Sequence, residues 1–178
     1  MGHSLFLEPH KELLREAAVI AEEMTSDFFK LTPNCWRRAR YDILTLEELE
    51  QDEISSHALA LVAKYHGCHR DRVLKSAVFD FYRICLQDHN ILKALDSCPD
   101  LSLLPLLLYI ITHELVHVVR FSRFQALFEA PEEQKHEEER QVHLLTQKIL
   151  KPLKSPELPR VMRYYEENRQ GGWQYAHL

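Results

Sequence analysis

From Leu101 to Ile111 the chain reads Leu-Ser-Leu-Leu-Pro-Leu-Leu-Leu-Tyr-Ile-Ile, and two residues later it turns polar at His113-Glu114-Leu115-Val116-His117. An apolar run of about eleven residues is half the roughly 20 that a membrane-spanning helix requires. Extending it C-terminally takes in His113, Glu114, His117 and Arg120, each costly in hydrocarbon. The run is therefore read as a buried core helix over about 102–129, with no membrane partner. A chain of 178 residues, 46% apolar and 28% charged, has the balance of one globular domain wrapped around such a helix. Only 4 Gly and 8 Pro argue against a disordered or collagenous chain and against a turn-rich barrel.

Helical periodicity recurs along the sequence. Residues 9–30 carry Leu13, Leu14, Ala17, Ile20, Ala21, Met24 and Phe28 at helical spacing, behind Pro9. Thr32-Pro33-Asn34 breaks that helix, and 34–44 is ambiguous. Thr45 with Glu48 is a capping box and predicts a helix over about 45–65, closed by Gly67 at the C′ position. Residues 70–95 are read as a further helix, since the strand-like Val78–Tyr82 segment lacks flanking turn signals. Pro131 opens a helix over 131–150, and Pro152, Pro156 and Pro159 mark a linker. A short helix comes next over 158–169, then a tail from Gly171. The predicted fold is mostly α: a single compact helical domain over 1–178, with 151–178 as Pro-rich linker and tail.

The net charge of −5 leaves no broad basic field for nucleic acid. Arg37, Arg38 and Arg40 beside Trp36 are read as a solvated face. The four cysteines, Cys35, Cys68, Cys85 and Cys98, form no C-x-x-C pair. They are too sparse for a disulfide scaffold. With no basic, apolar leader at the N-terminus, reduced thiols and a cytoplasmic location are expected.

The count of 11 His is high, and histidine is the commonest metal ligand. His113-Glu114-Leu115-Val116-His117 is H-E-x-x-H. On a helix, residues at i and i+4 share a face, so His113 and His117 can grip one ion while Glu114 reaches beside it. Zinc lowers the pKa of a bound water to about 7, and Glu114 is placed to take that proton as general base. Two His and a Glu buried in an apolar helix without partners would cost several kcal/mol; a metal is the simplest partner. One Zn²⁺ per chain is the expected cofactor.

A zinc site of this kind needs a third protein ligand and an open fourth position. The metzincin extension is absent, because Arg120 and Arg123 stand where its Gly and third His would be. The next helix offers His136-Glu137-Glu138-Glu139-Arg140-Gln141-Val142-His143. Over about 103–150 the chain resembles the gluzincin branch of the H-E-x-x-H metallopeptidases, in which a Glu on a following helix completes the site. The resemblance implies a zinc-dependent hydrolase acting on a peptide or protein substrate. Its third ligand is Glu139, with Glu138, His143 or His136 as alternatives; His143, four residues after Glu139, either ligates or supports the site from behind. Gluzincins also carry a strand beside the site that pairs with an extended substrate, and no strand is read upstream of His113. Tyr164 and Tyr165 are candidates for an oxyanion stabiliser by chemistry alone.

Two other readings compete. Glu114-Leu115-Val116-His117 is also the E-x-x-H pair of di-iron carboxylate bundles, which would need Glu22 or Glu23 and a second such pair. Alternatively the metal is structural, in a non-catalytic helical protein, and a fourth protein ligand such as His143 or His136 closes the site. His66, Cys68 and His69 are read as a polar turn, and His57 and His89 as surface residues.

Overall fold

The computed structural model describes residues 4–68 and 78–168. Six α-helices and three strands occur among them. They are α1 (Glu8–Phe29), α2 (Pro33–Arg38), β1 (Arg40–Leu44), β2 (Ala60–Cys68), β3 (Val78–Leu86), α3 (Asp88–Ser97), α4 (Leu103–Ser122), α5 (Glu132–Leu150) and α6 (Leu158–Glu167). The sheet order is β1-β3-β2, with β1 parallel and β2 antiparallel to β3.

The expected all-α domain is thereby overturned: the fold is mostly helical but mixed, with a three-stranded sheet whose β2 and β3 run into the helices predicted over 45–65 and 70–95 and whose β1 lies in the ambiguous stretch 34–44. In β2, Ala60, Leu61, Val62 and Ala63 are all buried, so both faces of the strand are covered. A strand buried on both faces loses the alternation that marks it, and a short apolar run then reads equally well as helix. Gly67 is not a helix terminator. It pairs across the ladder with Phe79, and a Cβ there would come within 2.5 Å of the Phe79 ring. The Thr45–Glu48 box does form, with Glu48 Oε2 accepting from the Thr45 N–H at 2.9 Å, but it opens only a single 3₁₀ turn over Leu46–Glu48. His69 and the stretch 70–77 lie outside the described residues, as does the tail from 169.

The loop before β2 is tied down by buried polar groups. Asp88 accepts from the N–H groups of Phe6 and Leu46 at 2.8 and 3.1 Å. The Gln87 side chain accepts from the Ser55 N–H and donates to the Glu53 carbonyl. His89, expected on the surface, is half-buried against the Ser55 carbonyl at 3.0 Å.

Helix α4 is the axis of the domain. Sixteen of its twenty residues are buried. By length and composition it could cross a membrane, yet 83% of its most apolar window is buried inside the protein. α1 packs along it most extensively, with α5, α6, β2 and β3 around the rest. Each fully buried Leu or Ile of Leu106, Leu107, Ile110, Ile111 and Leu115 contributes roughly 1.5–3 kcal/mol by leaving water. The helix stops at Ser122, short of the predicted 129. Phe124 takes a left-handed φ of 55°, and the Gln125 N–H reaches back to the Arg120 carbonyl at 2.9 Å. That is a C-terminal cap with Phe where glycine is usual, so no residue type announces it. The turn sends the chain back through 123–131 into α5.

Glu53 gives a direct test of the sheet's anchoring. Its carboxylate is fully buried, accepting from the Tyr65 hydroxyl at 2.7 Å, Arg83 at 2.9 Å and the Glu50 N–H at 2.9 Å. Burial alone would raise its pKa, but these donors outweigh burial and hold it below the ordinary value. The folded state therefore holds this proton less tightly than the unfolded chain. The resulting stability is present above the ordinary carboxylate range and is lost as pH falls through the folded pKa. Glu53→Gln is expected to cost roughly 1–3 kcal/mol at neutral pH. In urea unfolding the gap from wild type should narrow between about pH 5 and about pH 3; a constant gap would contradict the assignment.

Candidate metal centre

α4 carries His113, Glu114 and His117 into the interior, at 1%, 2% and 1% exposure. α5 packs across it and brings Glu138, Glu139 and His143 alongside. The donor atoms converge. His113 Nε2 lies 3.2 Å from His117 Nε2 and 3.2 Å from Glu139 Oε2, and His117 Nε2 lies 3.1 Å from Glu139 Oε1. Zinc bonds of about 2.0–2.1 Å in tetrahedral geometry set donor separations of about 3.3 Å. The His113–His117–Glu139 triangle is thus one face of such a tetrahedron, and these three could hold a metal ion.

The electrostatics of the cluster suit a cation. Burial lowers His113 to about 4, with Glu139 partly opposing, so its imidazole is neutral and ligand-ready at pH 7. Burial also acts to lower His117, but the Glu139, Glu114 and Glu138 carboxylates outweigh it and raise its pKa. Glu139 moves the other way: despite burial, His117 and His113 keep it well below the usual range. Burial pushes Glu114 up to about 8, with His117 pulling down and Glu139 pushing up. Glu114 Oε1 has no hydrogen-bond partner among the described residues. A buried, unsatisfied carboxyl oxygen is costly, and a cation in the triangle would supply the missing charge and return Glu114 to the carboxylate form.

The neighbours of the triangle sort the remaining sequence candidates. Glu138 grips Arg120 with two hydrogen bonds of 2.6 and 2.7 Å, and its Oε1 lies 4.0 Å from His117 Nδ1. It supports the imidazole from behind rather than joining the donors. His143 is hydrogen-bonded through Nδ1 to the Tyr109 hydroxyl, and its Nε2 is 2.9 Å from Gln147 Nε2. His136 is exposed on α5. The Phe121 ring stacks on His117 with centroids 5.6 Å apart and fixes its plane. Tyr165 is buried with its ring 4.2 Å from that of Tyr109. Burial, then the charges of Tyr109, Glu114, Tyr164 and Glu139, raise its pKa well above the usual value, so its hydroxyl keeps its proton at neutral pH. Tyr164 lines a separate surface cleft with His57 and Cys98.

The sequence reading missed the Arg120–Glu138 clamp and the Tyr109–His143 pair. Both had a signal, because Tyr109 is four residues before His113 and Arg120 three after His117, on the same helical face. Glu22 and Glu23, which the di-iron alternative would draw on, are exposed, and Glu22 is engaged by the Tyr41 hydroxyl.

Zinc titration checks the triangle. The protein is expected to take up about one zinc per chain, and His117→Ala to abolish it. A raised His117 pKa means a proton competes with the metal. Affinity should therefore climb with pH, up to about tenfold per unit, until His117 is deprotonated. Flat affinity between about pH 5 and about pH 7.5 would exclude imidazole ligation.

Comparison with known protein families, with curated proteins and with solved structures finds no match for this chain.

Proposed function

We propose that the protein is a zinc-dependent hydrolase, a small metallopeptidase acting on a peptide or protein. The observation that carries this is the convergence of His113, His117 and Glu139 to within 3.1–3.2 Å of one another, beside a buried Glu114 oxygen with no partner among the described residues. Zinc held by the three donors would act as a Lewis acid and lower the pKa of a water at its open position to about 7.

The protein's own residues supply the rest. Glu114 Oε1 accepts the proton of the attacking water and passes it to the leaving amine. Arg120 and Glu138 hold the His117 ring, with Phe121 against its face. Tyr109 and His143 brace the opposite flank, the Tyr109 and His113 ring centroids being 6.1 Å apart. No fourth protein donor joins the triangle among the described residues, which favours a catalytic over a closed structural site. A peptide substrate is favoured by the sheet. β2 is an edge strand among the described residues, and its Val62 packs with Val118 and Phe121 of α4. An unpaired edge beside a hydrolytic centre suits an extended chain, whose backbone can add to the sheet.

Glu114→Gln is the decisive variant. Zinc content should stay near one per chain while hydrolysis of a fluorogenic peptide library falls by about 10²–10⁴-fold. Loss of zinc in this variant would contradict the general-base role. Full zinc occupancy in wild type, with no turnover of any peptide, would move the protein to the non-catalytic reading.

A further inference from the structure

On the other side of α4 the charge pattern inverts. Successive residues turn by roughly 100° around the helix axis. His113, Glu114, His117 and Arg120 therefore share one face, while Val119 and Ser122 occupy the opposite one and Arg123 caps the helix end. Those three residues form one wall of a cleft of about 600 Å³, completed by α2, the start of β1 and Phe79 of β3. Four arginines line it: Arg37, Arg38, Arg40 and Arg123. One carboxylate among the described residues faces them, Asp80, and it is already paired with Lys64 at 3.2 Å and His66 at 3.0 Å.

The arginines come from three separate elements. Arg37 and Arg38 end α2, where a cation complements the helix dipole; that alone accounts for two of them. Arg40 comes from β1 and lies 4.8 Å above the Phe79 ring, and Arg123 from the end of α4 lies 5.7 Å from the Phe29 ring and donates to the Phe29 carbonyl at 3.3 Å. Arg40 and Arg123 are thus held in place. Arg37 and Arg38 are exposed and have no carboxylate at ion-pair distance among the described residues. In a chain whose 27 acidic residues outnumber its 22 basic ones, four guanidinium groups around one concavity repel one another unless an anion joins them. The cleft has an apolar side as well, from Leu31, Trp36 and Val119, and its volume lies in the range of small-molecule sites.

We propose that this cleft binds a small phosphate-bearing molecule, its phosphate held by Arg37, Arg38 and Arg123 and its apolar part against Trp36 and Val119. The guanidinium fork matches phosphate oxygens two at a time. The Cys35 thiol reports the same field: its Thr32 hydrogen bond first, then the charges of Arg123 and Arg38, lower its pKa. The site is distinct from the metal triangle, because the cleft and the triangle share no residue and α4 contributes to the cleft only through Val119, Ser122 and Arg123 at its C-terminal end.

Calorimetric titration with phenyl phosphate and with inorganic phosphate tests it, on protein dialysed against a chelator so that phosphate cannot report on bound metal. Phenyl phosphate is expected to bind saturably and more tightly than inorganic phosphate, and more weakly as salt is raised. Arg37→Ala/Arg38→Ala should weaken it by about tenfold or more. Arg140→Ala, which removes an exposed α5 arginine paired with Glu137, should leave it unchanged. Circular dichroism of the double variant separates lost binding from lost fold, since both arginines are exposed and their removal leaves the core intact. Absence of saturable binding in wild type, or equal affinity in the double variant, overturns the proposal. Tighter capture of a single-stranded oligonucleotide than of phenyl phosphate overturns it in favour of a nucleic-acid groove. None of these outcomes depends on whether the metal site hydrolyses peptides.

Discussion

Three ionisable side chains stand inside the most apolar helix of the protein, and the rest of the architecture is arranged to shield them. His113, Glu114 and His117 are all but removed from water. Burial is the largest single influence on the pKa of each. Such groups are tolerable only if something of opposite charge meets them. α5 answers with Glu139 for the two imidazoles and with the Glu138–Arg120 pair behind them. Glu114 is left with an oxygen unsatisfied among the described residues. This local imbalance gives the site its chemical direction: two neutralisable bases and one carboxylate aim at a common point, and a second carboxyl beside them has its proton affinity raised.

The same helix divides the molecule electrostatically. One face meets carboxylates, the other a cleft rimmed by guanidinium groups. A single rod can separate two such environments because its width of about 10–12 Å with side chains keeps the two sets of charges apart, and Coulomb interaction falls with distance. The turn at Phe124 matters to both sides. It ends α4 just after Arg120 has been placed toward Glu138 and as Arg123 enters the cleft, and it reverses the chain so that α5 returns to the metal face.

How legible is this from residues alone? α1 is readable nearly to its ends because its apolar positions recur at helical spacing, and α5 and α6 because prolines punctuate the chain before and between them. The H-E-x-x-H donors are readable because i and i+4 must share a helical face. The strands are not. Ala60 to Ala63 are apolar without alternation because both faces of β2 are covered, and only the pairing with β3 distinguishes this from a helix. Gly67 misleads for a related reason: its missing side chain serves the Phe79 ring across the ladder, a contact between residues distant in sequence. The Thr45–Glu48 box forms as expected and still opens only one turn, since a cap initiates a helix but the residues beyond the cap must sustain it.

Sequence by itself determined a long buried helix, the two imidazoles and carboxyl it carries, and a following acidic helix able to complete a metal site. These are local properties, set by spacing of a few residues along one helix. Tertiary structure alone decided which acidic residue meets the imidazoles. Glu138 and Glu139 are adjacent and chemically identical, so no pattern along α5 separates them. The packing of α5 on α4 rotates Glu139 into the triangle and leaves Glu138 to Arg120. Tertiary structure also gathered Arg37, Arg38, Arg40 and Arg123 around one cleft. Convergence of that kind depends on the relative placement of whole elements, which residue spacing within any one of them does not encode.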